Sequence, residues 1–198
     1  MIKVGVLALQ GSIVEHMDAL QHIQNVKAIE VKNTQTLTEI DGLILPGGES
    51  TTIGKLLKIF DLLVPLKNMI DKGLPVWGTC AGMILLAKKI SNQSESYLNV
   101  MDIEVYRNGY GSQLDSFKTK LTMPPICPLP IPLVFIRAPY VKDIWEDVKI
   151  IGQIDNRIIA CQQKNILATA FHPELTDNLY FHKYFINIIK KNLITSIV

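Results

Sequence analysis

Gly78-Thr79-Cys80-Ala81-Gly82 sets a cysteine between two glycines, directly after the apolar run Leu74-Pro75-Val76-Trp77. Gly-x-Cys-x-Gly is the thiol version of the strand-to-helix nucleophile elbow. A side chain at the apex of a strained turn needs neighbours without Cβ, so that the backbone turns sharply and a substrate comes close. A helix starting near Ala81 points its free N–H groups at the sulfur and favours the thiolate, the nucleophilic form. A free cysteine is also a common small core residue, and the elbow alone fits several hydrolases.

A thiolate nucleophile needs a base, and the base needs a group that orients it. Phe171-His172-Pro173-Glu174 follows the apolar run Ile166–Ala170 and supplies both. Pro173 locks one φ angle between them. Glu174 can then accept from one ring nitrogen of His172 while the other faces Cys80. Acyl transfer also needs donors for a developing oxyanion. The backbone N–H of Ala81 and the glycines of Pro46-Gly47-Gly48-Glu49-Ser50 are the candidates. Ser50 or Thr51 equally suits a plain helix N-cap. Gly48 and Gly54-Lys55 resemble a phosphate-binding loop, but five residues separate the glycines instead of four, and Leu56 stands where Ser or Thr would bind magnesium. A nucleoside triphosphatase is therefore excluded. His16, His22 and His182 fall in helical patterns and read as surface or interface residues.

These residues have to be positioned, and the first half of the chain alternates short apolar runs with helical patterns. Strands are predicted at Val4–Leu9, Ala28–Val31, Gly42–Leu45 and Val76–Gly78. Helices are predicted at Ile13–Ile23, from about Thr52, at Leu62–Lys72, and at Met83–Lys89 behind Cys80. Such alternation predicts a mostly parallel central sheet with helices on both faces, a three-layer α/β sandwich. Ligands bind such sheets beyond the carboxyl ends of the strands. Gln10-Gly11, Gly47-Gly48-Glu49 and Cys80 all stand at such ends.

The second half predicts an antiparallel extension. Ile103–Arg107 and Phe117–Leu121 are candidates to pair, and Lys149–Ile154, Arg157–Gln163 and Ile166–Ala170 read as a meander turning at Asp155-Asn156. Met123–Pro132 holds five of the chain's ten prolines, which forbids a central strand or helix and reads as an exposed loop. Tyr180–Ile194 is an amphipathic helix with Phe181, Phe185, Ile188 and Ile189 on one face.

The 198 residues suit one domain with a substantial core, 48% hydrophobic and 19% charged. A formal charge of +2 leaves no basic footprint for nucleic acid. No HExxH or CxxC is present, so no metal is expected. Three widely spaced cysteines (Cys80, Cys127, Cys161) are not a disulfide framework and suit a reducing cytoplasm. The apolar N-terminus is too short for a secretion signal, and no run reaches the ~18 apolar residues of a membrane span.

These motifs, with Gly5-Val6-Leu7-Ala8-Leu9-Gln10-Gly11, Leu45 to Thr52, Arg107-Asn108, Gly111-Ser112-Gln113 and Phe135-Ile136-Arg137-Ala138-Pro139, resemble class I, triad-type glutamine amidotransferases nearly end to end. Pro-Gly-Gly-Glu-Ser-Thr-Thr and Ile-Arg-Ala-Pro narrow the similarity to the glutaminases that serve pyridoxal 5′-phosphate synthases. The resemblance implies a flavodoxin-like fold over residues 1–198. It implies that Cys80 attacks the side-chain amide of L-glutamine, that His172 shuttles the proton and that Glu174 orients it, yielding glutamate and ammonia.

The resemblance carries glutamine contacts to Gly47, Gly48, Glu49, Arg107, Ile136 and Arg137, with Gln10 near the oxyanion region at Gly48 and Ala81. Free glutamine is a zwitterion, and Glu49 with Arg107 or Arg137 offers both charges it needs. The resemblance also implies a partner, a (β/α)₈-barrel synthase subunit that receives the ammonia, and no cofactor in this chain. The rival readings are a glutaminase domain of another pathway, a cysteine peptidase-like hydrolase, and a non-catalytic binding module. The charged pair argues against the peptidase, and the intact Cys80, His172 and Glu174 against the binding module. The Pro-rich stretch is no motif of the family.

Overall fold

The computed structural model describes residues 1–91, 93–109 and 116–195. The Gly111-Ser112-Gln113 motif lies outside the described residues. The first strands are β1 (Ile2–Leu7), β2 (Val26–Val31), β3 (Gly42–Leu45) and β4 (Val76–Thr79). Between them run α1 (Ile13–Gln21), the single turn α2 (Thr34–Leu37), α3 (Ser50–Ile59) and α4 (Leu63–Asp71). The elbow leads from β4 into α5 (Ala81–Leu86), followed by β5 (Ala87–Ile90) and β6 (Met101–Tyr106). The remainder is β7 (Ser116–Met123), β8 (Cys127–Ile136), β9 (Tyr140–Ile144), β10 (Lys149–Ile154), β11 (Arg157–Gln163), β12 (Ile166–Thr169) and α6 (Tyr180–Thr195).

The main sheet runs β2-β1-β3-β4-β12-β11-β9-β6-β5, with β10 hydrogen-bonded to β11. From β2 to β12 every pairing is parallel. Beyond β12 the pairings to β11, β9 and β6 are antiparallel, as is β10 on β11. This is the mostly parallel sheet with an antiparallel extension that the sequence predicts. Trp77 and Gly78 point to opposite faces of β4, as successive strand residues must. The Trp77 ring packs against Phe181 and Phe185 of α6 and His16 of α1. Gly78 faces Gly82 and Leu86 of α5. The sheet thus lies between a layer holding α1 and α6 and a layer holding α5 with its neighbour α3.

Register positions the site. Thr79 of β4 lies opposite Thr169 of β12, and Leu45 of β3 opposite Gly78 of β4. Three adjacent parallel strands therefore end at about the same level. The chain beyond each end carries Gly47-Gly48, Cys80 and His172 respectively.

Three expectations need correction, and two elements go beyond what the sequence predicts. The helix behind Cys80 stops at Leu86 rather than Lys89, because Ala87 and Ile90 are buried and Lys88 and Lys89 face out of β5. Those lysines pair with Asp102 (2.6 Å) and Glu104 (2.7 Å) of β6. Second, β6 pairs with β9 and β5, while β7 pairs with β8 in a separate ribbon. Alternating patterns mark strands without naming partners. Third, the proline-rich stretch is largely the strand β8. Pro128, Pro130 and Pro132 are spaced by two, so their missing N–H groups all fall on one side, the arrangement an unpaired strand edge tolerates. The two unpredicted elements, β9 and α2, carry no sequence signal strong enough to predict them. α2 is a single turn in which the Asn33 side chain accepts from Thr36 N–H at 2.9 Å. The meander is as expected, with Asp155 and Asn156 both at positive φ (49° and 61°), which a two-residue hairpin turn requires.

Candidate active site

Cys80 leaves β4 with φ 47° and ψ −102°, a strained conformation for a residue with a side chain. Its N–H donates to the Thr169 carbonyl at 2.8 Å, and its own carbonyl accepts from Met83 N–H, starting α5. The flanking glycines answer to space. A Cβ on Gly78 would lie 2.4 Å from the Gly82 carbonyl carbon, and one on Gly82 would lie 2.1 Å from the Leu45 carbonyl oxygen. Neither glycine has positive φ; the strain falls on Cys80 itself. The glycines let α5 sit flat on β3 and β4, and so aim the apex outward.

His172 follows β12, its N–H donating to the Val134 carbonyl of the β7–β8 ribbon at 2.8 Å. Phe135 of the ribbon packs edge-on against Phe171, which steadies the same point. The imidazole Nδ1–H meets Glu174 Oε1 at 2.8 Å, and the ring and Cys80 line the same cavity. Glu174 sits in the single turn Pro173–Leu175 with its side chain fully buried. The Ser12 hydroxyl donates to the same carboxylate oxygen at 2.6 Å.

Burial lowers the His172 pKa, but the hydrogen bonds and charges of Cys80 and Glu174 outweigh it and hold the ring up at about 10. Burial would raise Glu174. The His16 ring, the His172 ring and the Ser12 hydroxyl outweigh that and hold the carboxyl down at about 2. The ring is therefore an imidazolium at neutral pH, seated between a carboxylate and the Cys80 sulfur.

The sulfur faces a cavity of about 200 Å³, small beside the ~300–1,000 Å³ of sites for drug-sized ligands. His172, Gly48 and Ala81 line it around Cys80. Gln10, Glu49, Arg107, Ile136 and Arg137 line it further out. Gln10 Oε1 accepts from Glu49 N–H at 2.8 Å, and the Ile136 carbonyl lies 3.9 Å from Cys80 Sγ. Arg137, at φ 42°, pairs with Glu49 across the mouth at 3.5 Å. Gly47 stands behind the cavity wall against the His172 ring, and Glu174 lies behind that ring. Every sequence-predicted site residue is thus gathered at one end of the sheet.

Sequence reasoning missed Ser12, His16 and His182. His16 and His182 are fully buried, not surface residues, because α1 and α6 pack the two rings together against Trp77. The signal was present for His16, which shares the helical stripe of Ile13, Met17 and Leu20. Ser12 follows the strand-end pair Gln10-Gly11, where ligand-facing residues collect. Among the described residues no group of His, Cys, Asp and Glu could hold a metal ion, and no helix is long and apolar enough to cross a membrane.

A family model described as the SNO glutamine amidotransferase family matches residues 6–191, a span that includes the elbow, the His-Pro-Glu turn and the cavity wall. The chain belongs to the SNO glutamine amidotransferase family. As a glutamine amidotransferase it is 56% identical over 192 residues to a pyridoxal 5′-phosphate synthase subunit PdxT of Clostridium botulinum, covering 97% of this chain and all of the relative. It is 54% identical over 189 residues to the PdxT of Ruminiclostridium cellulolyticum, again over the relative's whole length and 96% of this chain. A crystal structure of a glutamine amidotransferase superposes with a TM-score of 0.89 at 38% identity, over 94% of this chain and 98% of that one. The structure of PurLQS from Thermotoga maritima shares the fold at 16% identity (TM-score 0.68; 97% and 99% covered).

Proposed function

We propose that residues 1–198 form one glutaminase domain, the subunit of a pyridoxal 5′-phosphate synthase that hydrolyses L-glutamine to L-glutamate and ammonia. The observation that carries this reading is the line Glu174–His172–Cys80 at the end of three parallel strands, in a chain more than half identical to full-length PdxT proteins.

Cys80 Sγ attacks the side-chain amide carbon, and the backbone N–H groups of Gly48 and Ala81 receive the oxyanion. His172 gives its proton to the departing amine, so ammonia leaves and a glutamyl thioester remains. The neutral ring then takes a proton from water, the hydroxide cleaves the thioester, and glutamate departs. Glu174 holds the ring with Nδ1 protonated and Nε2 toward the sulfur throughout. Glu49 holds the α-ammonium of glutamine, and Arg107 or Arg137 its α-carboxylate. The small, charged cavity fits a free amino acid better than a peptide.

Ammonia released into water is protonated and lost, so the domain discharges into a docked synthase subunit, a (β/α)₈ barrel, in the cytoplasm. Activity is low alone and rises on docking. The test is glutamate release from glutamine with and without synthase. Turnover should appear with the partner and vanish in Cys80→Ala. Peptide cleavage, or docking without any turnover, would overturn the reading.

A further inference from the structure

Among the described residues three buried side-chain atoms lack a hydrogen-bond partner of ordinary geometry: Ser50 Oγ, Glu174 Oε2 and His182 Nδ1. Two of them lie at the ends of one buried line that the mechanism above does not use. Glu174 Oε1 is fully engaged by Ser12 and His172, while Oε2 has only His16 Nε2 nearby, at 3.4 Å. That same nitrogen lies 3.3 Å from Thr79 Oγ1, and His16 Nδ1 lies 3.0 Å from His182 Nε2. Both rings are fully buried, edge-on to Trp77.

Two neutral rings sharing one hydrogen bond have two arrangements, and the surroundings separate them. In the first, His182 Nε2–H donates to His16 Nδ1, and His16 carries its proton on Nε2, toward Glu174 Oε2. The partnerless His182 Nδ1 is then a bare lone pair. In the second, His16 Nδ1–H donates to His182 Nε2, which puts a buried N–H without an acceptor on His182 Nδ1. It also turns the His16 Nε2 lone pair toward a carboxylate oxygen. The second leaves an orphan donor on His182 and sets the His16 Nε2 lone pair, which the Thr79 hydroxyl can meet, beside a carboxylate oxygen; the first leaves only the bare His182 Nδ1 lone pair, the smaller loss. Burial, before the neighbouring charges, pulls both histidines down, His182 to about 3, which keeps both rings neutral.

We infer that His16 is a positioning residue for the triad: its Nε2–H, which also meets Thr79 Oγ1, stands 3.4 Å from Glu174 Oε2, and His182 fixes the tautomer that puts this N–H there. Glu174 then has its hydrogen bonds on Oε1 and the polar N–H of His16 against Oε2, so its plane, hence the direction of the His172 ring, is set from behind. Loss of such a backing group acts on kcat, since His16 does not reach the substrate cavity. The inference rests on the glutaminase reading above.

Two amides of equal chemistry test it. In His16→Gln the amide nitrogen takes the place of Nε2 and still reaches Glu174; in His16→Asn it takes the place of Nδ1 and does not. In the complex with synthase, His16→Gln should keep kcat within about threefold of the native value. His16→Asn should lower it about 10–100-fold, the scale on which backing partners act, and KM for glutamine should hardly move in either. Equal activity of the two variants, or a change confined to KM, overturns the inference. Nitrogen NMR of the native full-length chain gives an answer that needs no variant to fold. It should show His16 and His182 neutral, both protonated on Nε2, and a proton on His16 Nδ1 overturns the inference. The NMR result does not depend on turnover, whereas absence of glutamate release by the native complex would defeat the glutaminase reading instead.

Discussion

Gly47 and His172 fit against each other so closely that a Cβ on Gly47 would stand 2.3 Å from the ring carbon between the two imidazole nitrogens. The obstacle is the proposed base itself, so a methyl group there has to push the ring off its line between Glu174 and Cys80. Gly47→Ala is expected to cost about 100-fold in kcat/KM, the effect of an ångström-scale displacement of a reacting group. The melting temperature should change little, because the ring borders a cavity into which it can move. Near-native activity of the folded variant would show that the ring tolerates the shift.

Gly82 is the contrasting case. A Cβ there would stand 2.1 Å from the Leu45 carbonyl oxygen, which is backbone in the middle of the sheet and cannot swing away. Gly82→Ala is expected to destabilise by about 2 kcal/mol or more, lowering the melting temperature by roughly 4–8 °C. Calorimetry on the two alanine variants side by side checks both statements.

The three thiols should behave differently toward iodoacetamide. Cys80 lines the cavity, whereas Cys161 is fully buried and burial pushes its thiol up to about 12. One cysteine, Cys80, should be alkylated in the folded chain, with loss of glutaminase activity and protection by glutamine, and all three after unfolding. Mass mapping of the labelled peptides decides it. Rapid labelling of Cys161 would contradict the packing around β11.

Stability should fall on both sides of a maximum near the ordinary histidine value of 6.5. His182, held down to about 3, stays neutral in the folded chain while the unfolded chain takes up a proton near its ordinary 6.5, so stability drops as pH falls from 6.5 toward 3. Glu174, held at about 2, adds to the loss below its ordinary 4.5. His172, held up at about 10, contributes fully below 6.5, and its contribution is lost as pH rises through 10. Each such group changes stability by about 1.4 kcal/mol per pH unit inside its window. Urea midpoints should show His182→Phe flattening the acid limb. An unchanged acid slope would rule His182 out as its cause.

Glu49 and Arg137 are each more than half exposed, so their 3.5 Å pair adds little to stability. Its expected importance is for substrate. Glu49→Gln should raise KM for glutamine about tenfold or more, the loss of one charge-assisted hydrogen bond, with the melting temperature unchanged. A variant that lost stability and kept its KM would assign the pair a scaffolding role.

Much of this site is legible in the chain because its chemistry sits where strands end. The apolar runs before Cys80 and His172 are short, and each is closed by residues that cannot continue a strand, so the ends are marked. What brings the two ends together is the register Thr79 opposite Thr169, a long-range choice that no local pattern carries. The buried histidines stayed hidden for a related reason. His16 and His182 lie on amphipathic helices from opposite ends of the chain, and only the packing of α1 beside α6 on Trp77 removes both from water. Lys88 and Lys89 misled in the other direction, since helix-forming residues became a strand once β6 offered carboxylates to meet them. The prolines of β8 read as a loop because their spacing of two matters only when a ribbon has a free side.

The strand order has a consequence for synthesis of the protein. β12 comes near the end of the chain yet lies in the middle of the sheet, between β4 and β11. It brings the carbonyl that holds Cys80 N–H, and just after it the ring that meets the sulfur. While a ribosome is still making the chain, the first four strands can assemble with Cys80 at their edge, but the thiol there has neither its strained turn braced nor its proposed base beside it. The proposed nucleophile meets its partners only when the last strand is in place, so an unfinished chain carries Cys80 without the site around it.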